Sequence, residues 1–253
     1  MRVHFAGLGT LKQELLSGKY KPQDMFALES FISMNDWYVD LIPQFRGFLL
    51  DSGAFTYMNG KKTDGVDWES YADRYADFIK AHGIRRYFEL DIDAIVGLKN
   101  VERLRNRIEA RSGVPSIPVW HLQRGKQYFL DMCKDYDYVA IGGLVAKKTA
   151  VSMDKYFPWF INKAHENGAQ IHGLGFTKLE GLKLYHFDSV DSTTWNVGAK
   201  YGQVCIYNQG TIKKTASIEK GKKARRLKLT AKEINQVNFE AWLQFARYAE
   251  NNL

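Results

Sequence analysis

Residues 48–55, which read FLLDSGAF, decide which fold the sequence predicts. An apolar run reaches the carboxylate of Asp51 and turns at once through Ser52 and Gly53. In α/β barrels the reactive side chains lie at the carboxyl ends of the strands. The stretch therefore predicts a buried barrel strand that places Asp51 in an active site.

Similar endings recur after further apolar runs, and segments with helical spacing of apolar residues lie between them. Strands are predicted at Val3–Ala6, Met25–Glu29, Gly47–Asp51, Tyr87–Asp93, Ile117–His121, Tyr138–Gly142, Gln170–Gly173 and Phe187–Asp191. Helices are predicted at Asp67–His82, Gly97–Ser112, Lys126–Asp135 and Met153–Asn167. This alternation is typical of a parallel sheet with crossover helices, and eight strands predict a closed (β/α)8 TIM barrel.

The alternation stops after Asp191, which separates a predicted barrel domain, residues 1–200, from a C-terminal extension, residues 201–253. The extension has a short strand near Gln203–Asn208, a basic segment and a terminal helix from about Thr230 to Asn252. Thr230 and the glutamate three residues later form a capping box, which marks a helix start. We expect the apolar face of this helix to pack on the barrel.

The composition limits which classes of protein this chain can belong to. The 253 residues are 45% hydrophobic and 25% charged, which is ordinary for a globular domain. No apolar run approaches the ~20 residues of a membrane span, and the first residues lack the apolar region of a signal peptide. Cys133 and Cys205 offer neither a disulfide framework nor metal-ligand spacing. We therefore expect a protein of the reducing cytoplasm.

Positive charge is concentrated near the C-terminus. The chain has 36 Lys and Arg against 28 Asp and Glu, a formal charge of +8. The densest part of the basic segment holds Lys222, Lys223, Arg225 and Arg226. Such a run is either a solvated surface or, beside an acidic cleft, a contact surface for a polyanion such as nucleic acid.

Polar residues and glycines suited to chemistry collect at the predicted strand ends. They are Asp51, Asp91, Asp93, Gln123, Gly142, Gly143, Gly173, Asp188 and Asp191. Any single carboxylate can instead cap the following helix, and several together can bind a divalent cation. Because no companion set of histidines or glutamates supports a metal, we predict neither a metal nor another cofactor.

Two carboxylates across a cleft are the minimum for chemistry on a glycosidic bond. One attacks the sugar carbon, and the other exchanges a proton with the leaving group. A glutamine amide can read the edge of a flat heterocycle through paired hydrogen bonds, and paired glycines let a ring approach the backbone. The candidate residues therefore favour glycosidic chemistry on a heterocyclic base.

The ordered motifs resemble those of the tRNA-guanine transglycosylases (queuine tRNA-ribosyltransferases), TIM-barrel enzymes that exchange guanine for a 7-deazaguanine base. DSGAF at 51–55 resembles the family's DSGGF, LQRG at 122–125 its VQGG, and AIGGL at 140–144 its AIGGL. HGLG at 172–175 is similar to its MGVG, and DSVDS at 188–192 to its DLFDC. Asp91 matches its base-recognising aspartate, and the similarity runs from about Gly47 to Trp195.

The resemblance implies a role for each matched residue. Asp191 would be the nucleophile, with Asp188 as the alternative if the motif aligns three residues earlier. Asp51 would protonate the departing base. The pocket for the heterocycle would be formed by Ser52, Gly53, Phe55, Asp91, Asp93, Gln123, Gly142, Gly143, Leu144, His172 and Gly173.

One departure from the family concerns the substrate. The tRNA enzymes carry a zinc site of three cysteines and a histidine after the barrel, where this chain has Cys205 alone. In this respect it looks most similar to zinc-less phage and bacterial relatives that install 7-deazaguanines in DNA. The resemblance therefore implies exchange of guanine in DNA, with a free 7-deazaguanine base as co-substrate, in the host cytoplasm if a phage encodes the protein.

Three alternatives stay open at the level of sequence. The same exchange could act on tRNA, or the barrel could bind nucleic acid without catalysis. An unrelated barrel glycosidase for free sugars would need aromatic platforms at the strand ends, for which Trp120 and Trp195 are the candidates.

Overall fold

This computed structural model describes residues 1–53, 56–57, 65–143, 153–215 and 229–253. In this part of the chain, seven parallel strands form the main sheet. Their order in the sheet is the third, second, first, seventh, sixth, fifth and fourth along the chain, so the seventh strand is central and the first lies beside it. The strands are β1 (Arg2–Ala6), β2 (Phe26–Ser30), β3 (Gly47–Asp51), β4 (Val119–Trp120), β5 (Tyr138–Ile141), β6 (Gln170–Gly173) and β7 (Ser189–Ser192).

The prediction of a closed (β/α)8 TIM barrel is wrong. The sheet curls into a half-barrel that stays open, with its two edges 11 Å apart. The segment predicted as the fourth strand, Tyr87–Asp93, lies between the edge strands β3 and β4 but forms no strand. It makes only single parallel bridges, from Tyr87 to Leu50 and from Phe88 to Ile117. We call residues 86–89, with these bridges, the seam.

At the seam, a buried side chain accepts a hydrogen bond that a strand would accept through its backbone. The carboxylate of Glu89 accepts a hydrogen bond from the N–H of Val119 at 2.8 Å, and Pro118 has no N–H to offer. Asp93 then begins a short helix. The extended segment is therefore too short to pair as a strand with either edge.

Ten α-helices are present in the described residues, most of them between successive strands. The four helices predicted from the spacing of apolar residues are confirmed to within a few residues at each end. The helices are α1 (Lys12–Leu16), α2 (Asp36–Val39), α3 (Trp68–Ala81), α4 (Asp93–Val96), α5 (Leu98–Ser112), α6 (Gly125–Asp135), α7 (Phe157–Glu166), α8 (Leu179–Leu184), α9 (Thr194–Lys200) and α10 (Ala231–Asn252). Short 3-10 turns lie at Leu8–Leu11, Pro22–Asp24, Phe31–Ser33, Ile42–Gln44, Leu122–Arg124 and Asp154–Tyr156.

The helix α3 illustrates how the sequence specifies these elements. Asp67 caps it, because its Oδ1 accepts hydrogen bonds from the N–H groups of Glu69 and Ser70, both at 3.1 Å. Tyr71, Tyr75 and Ile79 form its buried face. Tyr75 also donates from its hydroxyl to the carbonyls of Leu50 at 3.2 Å and Phe88 at 3.1 Å, so the helix binds both sides of the seam.

Alternate residues of each strand enter two different cores, as the twofold period of a strand requires. Val3 and Phe5 belong to the larger core between the sheet and the helices. Ala6 belongs to a smaller cluster on the inner face of the half-barrel, with Leu28, Leu49, Phe88, Ile117, Val119, Tyr138 and Ala140. The inner face is thus only partly apolar, and it leaves room for polar side chains.

The C-terminal part differs in one respect from the prediction. Instead of one strand before the basic segment, β8 (Cys205–Asn208) and β9 (Thr211–Lys214) form an antiparallel hairpin. The capping box of α10 is confirmed, since the hydroxyl of Thr230 accepts from the N–H of Glu233 at 3.2 Å. Phe239 of α10 packs on Phe5 of β1 with ring centroids 5.0 Å apart, which joins the helix to the main core.

Among the described helices none is both long and apolar enough to cross a membrane.

Glu89 should be a major determinant of stability, because it is fully buried and compensates two guanidinium groups. It accepts hydrogen bonds from Arg124 at 2.8 Å and from Arg105 at 3.1 Å. We expect Glu89→Ala to lower the free energy of unfolding by about 3–5 kcal/mol, because it leaves buried charge uncompensated. Urea denaturation checks this.

The exposed ion pair Arg111–Asp77 is the matched control, since its side chains are 47% and 56% exposed. Asp77→Ala should change the urea midpoint little, because exposed pairs contribute little to stability. Equal midpoints for the Glu89 and Asp77 variants would contradict the role given to the buried network.

Candidate active site

Asp51 and Asp191 lie at the same end of the sheet. Asp51 is the last residue of β3, and Asp191 is the third of the four residues of β7. Because all strands of the main sheet are parallel, their carboxyl ends form one edge. Asp51 and Asp191 therefore lie at this edge, and the negative charges of Asp191 and Asp91 both raise the pKa of Asp51. We call the group of Asp51, Asp91, His121 and Asp191 the rim.

Asp51 is set up to hold a proton near neutral pH. Burial raises the pKa of this carboxyl to about 7, and the charges of Asp191 and Asp91 act in the same direction. The N–H of Gly53 donates to Oδ2 at 3.2 Å and opposes the rise without cancelling it. A carboxyl with such a pKa can give and take a proton at physiological pH.

Asp191 is held by two donors on one oxygen. The N–H of Gly175 donates to its Oδ1 at 2.6 Å, and Nε2 of His172 lies 3.2 Å from the same atom. Its Oδ2 accepts no hydrogen bond from the described residues. One oxygen of Asp191 is therefore anchored, and the other is available to a bound molecule.

Asp188, the alternative nucleophile, lies at the opposite end of β7. It precedes the first residue of the strand, and its Oδ2 accepts from the N–H of Ile171 at 2.8 Å. Nε2 of His165 lies 2.9 Å from the same oxygen. Three residues of strand span ~10 Å. The structure therefore places Asp188 away from the rim, in contact with the lower end of β6.

His121 is a residue of the rim that the sequence reasoning missed. Its Nε2 lies 2.5 Å from Oδ1 of Asp91. Burial lowers the pKa of His121, but the hydrogen bond and charge of Asp91 outweigh this and leave the pKa above its usual value. The signal was present, since His121 ends the predicted strand Ile117–His121.

Gly142 and Gly143, which directly follow β5, leave space for the side chain of His121. A Cβ on Gly142 would lie 2.5 Å from Cε1 of His121 and 2.8 Å from Cγ1 of Val119. Gly143 has a φ of +75°, a conformation that favours glycine. The close approach that the sequence assigned to a heterocycle is therefore made, at Gly142, by an imidazole ring of the protein itself.

Asp93 and Gln123 are joined to each other beside the rim. Nε2 of Gln123 donates to Oδ2 of Asp93 at 3.2 Å, and Nε of Arg124 donates to the same oxygen at 3.0 Å. Arg124 was also missed by the sequence reasoning, although it stands inside the LQRG motif. It is nearly fully buried and also binds Glu89, so it links Asp93 to the ion pairs behind the seam.

One group of side chains has the arrangement of a metal site. Ligand atoms of Asp91, Asp93 and His121 all lie within 4.8 Å of one another. Both carboxylates already have partners, however. Asp91 faces His121, and Asp93 accepts from the guanidinium of Arg124, whose positive charge opposes a cation. The donor set therefore fits an ion-pair cluster better than a metal centre.

The remaining predicted residues fall into three groups. Ser52 is buried, and its carbonyl accepts a hydrogen bond from the hydroxyl of Tyr71. Gly173 ends β6 against Phe176, and the fully buried His172 contacts Asp191 from below the rim. Phe55, Leu144, Lys222, Lys223, Arg225 and Arg226 lie outside the described residues.

Trp120 and Trp195, the candidate sugar platforms, are both buried. Trp120 is 1% and Trp195 0% exposed, and the indole N–H of Trp195 donates to the carbonyl of Ala6 at 3.1 Å. Neither ring offers a face to a sugar. The two residues that favoured a glycosidase for free sugars therefore cannot serve as its aromatic platforms.

Comparison with models of known protein families, and with curated proteins, finds no match to this chain.

Proposed function

We propose that this protein exchanges guanine for a 7-deazaguanine base in a polynucleotide, with DNA as the preferred substrate. The observation that supports this most directly is the position of Asp51 and Asp191 at the carboxyl ends of two strands of one parallel sheet. Burial and neighbouring charge raise the pKa of Asp51 to about 7, and two hydrogen bonds hold one oxygen of Asp191. A proton donor and a held carboxylate are what a double displacement at a sugar carbon requires.

In the first half-reaction the anionic Oδ2 of Asp191 attacks C1′ of the nucleotide. The bond from C1′ to N9 of guanine breaks, its electron pair stays on the base, and Asp51 supplies the proton that neutralises the base. The products are free guanine and a glycosyl ester on Asp191, with Asp51 ionised. The oxocarbenium-like transition state is stabilised by the adjacent carboxylate.

In the second half-reaction the incoming 7-deazaguanine gives its N9 proton to the ionised Asp51. Its N9 attacks C1′, the ester bond to Asp191 breaks, and the electron pair of that bond returns to the carboxylate. Both aspartates regain their starting protonation states. The sequence of steps consumes one base and releases one base, so it needs no oxidant, reductant or energy source.

Asp91 and its partner His121 are placed to read the base. A carboxylate accepts hydrogen bonds, and guanine presents two donors, N1–H and the 2-amino group, on one edge. The target nucleotide must leave the base stack for its C1′ to reach Asp191. We place the reaction in the cytoplasm, where both free base and nucleic acid are present.

Exchange of labelled guanine tests the proposal. The protein is incubated with labelled guanine and either DNA or tRNA, and incorporation of label is measured in each polymer. We expect label in DNA. Label only in tRNA would favour the alternative substrate, and no label in either polymer, with binding retained, would favour a binding protein without catalysis.

The basic segment predicts salt-sensitive binding of the polynucleotide. Each phosphate neutralised by Lys or Arg contributes about −0.7 on single strands and about −0.9 on duplex to the slope of log K against log salt. Changing Lys222, Lys223, Arg225 and Arg226 together to Ala should flatten the slope by roughly 2–4 units. Fluorescence anisotropy of labelled DNA at several salt concentrations measures it.

A control with the same loss of charge separates contact from net charge. Lys80, Lys134, Lys163 and Lys183 lie in the last turns of α3, α6, α7 and α8, away from the rim. Changing these four to Ala should leave the slope near its original value. An unchanged slope in the first variant would assign the basic segment to a solvated surface.

A further inference from the structure

A chain of hydrogen bonds runs beneath Asp191 along the inner face of the half-barrel, and the proposed reaction does not by itself require it. Nε2 of His172 lies 3.2 Å from Oδ1 of Asp191, and Nδ1 of His172 lies 2.5 Å from Oγ of Ser189. The hydroxyl of Ser189 in turn contacts the hydroxyl of Tyr138. His172 and Ser189 are 0% exposed and Tyr138 is 2% exposed, so water does not compete for these bonds.

The chemistry of the four groups fixes the direction of the chain. An ionised Asp191 can only accept, so Nε2 of His172 must carry a hydrogen. In the neutral ring Nδ1 then accepts from the hydroxyl of Ser189, and Ser189 accepts from Tyr138. Burial raises the pKa of Tyr138, which keeps its hydroxyl protonated as the first donor. The opposite tautomer would point a lone pair at a carboxylate.

The packing around His172 prevents the ring from turning away. Its centroid lies 5.2 Å from the ring of Phe88 and 5.9 Å from the ring of His4. Burial lowers the pKa of His4 well below its usual value, so His4 adds no positive charge to this layer. His172 is thus held in position by two rings and by Ser189.

We propose that His172 is the positioning residue for the nucleophile, an inference that rests on the proposed function. With the N–H of Gly175 it binds Oδ1 of Asp191 from below, so Oδ2 is the oxygen that faces C1′. Ser189 and Tyr138 act one step further away, because they hold the ring of His172 through its Nδ1. A small displacement of a reacting atom costs about 10²-fold in rate, so this alignment should matter for turnover.

The tautomer of His172 gives a test that does not depend on activity. In a ¹⁵N-labelled protein at pH 7, the ring nitrogens of His172, assigned by their loss in His172→Gln, should show hydrogen on Nε2 and a bare Nδ1. Ser189→Ala should leave the hydrogen on Nε2, where Asp191 accepts it, and shift the Nδ1 resonance, because Nδ1 loses its hydrogen-bond donor. Hydrogen on Nδ1 in the unmodified protein, or a doubly protonated ring, would overturn the inference even if base exchange is observed.

The kinetic test compares a donor with an apolar residue at the same position. Using labelled guanine and DNA, we expect His172→Leu to lower kcat about 10²-fold with little change in KM for the base. His172→Gln should recover most of that loss, because its amide can donate to Asp191 and accept from Ser189. Equal losses in both variants, or a loss in KM alone, would contradict positioning.

Tyr138→Phe covers the case in which the His172 variants fold poorly. It removes one hydroxyl and preserves the ring, and we expect the hydrogen to stay on Nε2, the Nδ1 resonance to shift and kcat to fall. An unaltered Nδ1 resonance with unaltered kcat would remove Tyr138 from the chain and contradict the direction argued for it. If the unmodified protein exchanges no base while His172 carries its hydrogen on Nε2, the proposed function fails and the arrangement of His172 stands.

Discussion

Asp191→Asn should abolish base exchange and prevent any covalent adduct, with the fold retained. An amide preserves the shape of the side chain and can still accept from Gly175, but it cannot attack C1′ as an anion. We expect a loss of at least ~10⁴-fold in kcat, the scale seen when a nucleophile is removed. The exchange assay and mass spectrometry of protein trapped with DNA measure the two effects.

Asp188→Asn is the matched control for this experiment. It makes the same chemical change three residues earlier, at the other end of β7, where Asp188 binds the N–H of Ile171. We expect this variant to lose some stability and to keep its activity. Activity in Asp191→Asn with none in Asp188→Asn would move the nucleophile by three residues, and activity in both would contradict the covalent mechanism.

Asp51→Asn should slow exchange by ~10²–10⁴-fold, the usual contribution of a general acid and base. The covalent adduct should still form slowly, because Asp191 is untouched. In the unmodified protein kcat/KM for the proposed exchange should fall as the pH rises through about 7, where Asp51 loses the proton that the departing base would need. Normal turnover with weak DNA binding in Asp51→Asn would instead assign Asp51 to a structural role.

The same substitution should stabilise the protein at high pH. The carboxyl of Asp51 keeps its proton up to about pH 7 in the fold, whereas an unfolded chain releases it near pH 4. The native state therefore binds more protons between these values, and its stability falls as the pH rises through that window. Asp51→Asn removes the penalty, so at pH 8 it should raise the free energy of unfolding by up to about 4 kcal/mol.

The pH dependence of this gain is its own control. At pH 4 the folded wild type keeps the proton on Asp51 and about half of the unfolded chains carry it, so most of the penalty is absent and the two proteins should unfold at similar urea concentrations. A stability gain that is equal at pH 4 and pH 8 would come from packing or hydrogen bonding. In that case the electrostatic account of Asp51 would be wrong.

The sequence predicted much of the fold because the residues of most strands show where the strand begins and ends. β3 and β6 begin and end where the sequence predicts, since an apolar run meets a carboxylate or a glycine there. The segment Tyr87–Asp93 has the same alternation of apolar and acidic residues. Its buried Glu89 binds Val119 through its side chain, and no local pattern reveals that a carboxylate takes the place of a backbone partner.

The parts of the site that the sequence missed depend on partners far apart in the chain. His121 and Asp91 are 30 residues apart, and Arg124 and Glu89 are 35 apart. Each looks unremarkable among its sequence neighbours. The motif favoured Asp191 and left Asp188 as the alternative, and the positions of the two at opposite ends of β7 distinguish them.

The seam has a consequence for motion. Four backbone hydrogen bonds cross it in the described structure, from the N–H groups of Leu50, Phe88, Glu89 and Ile117, whereas β1 has continuous ladders on both sides. Regions with fewer such bonds open locally at lower free energy. Two of these bonds join β3, which ends in Asp51, to the segment that leads to Asp91, so each brief opening there would move these two carboxylates apart. The rate of amide hydrogen exchange at the seam would then report how often the residues of the rim move apart.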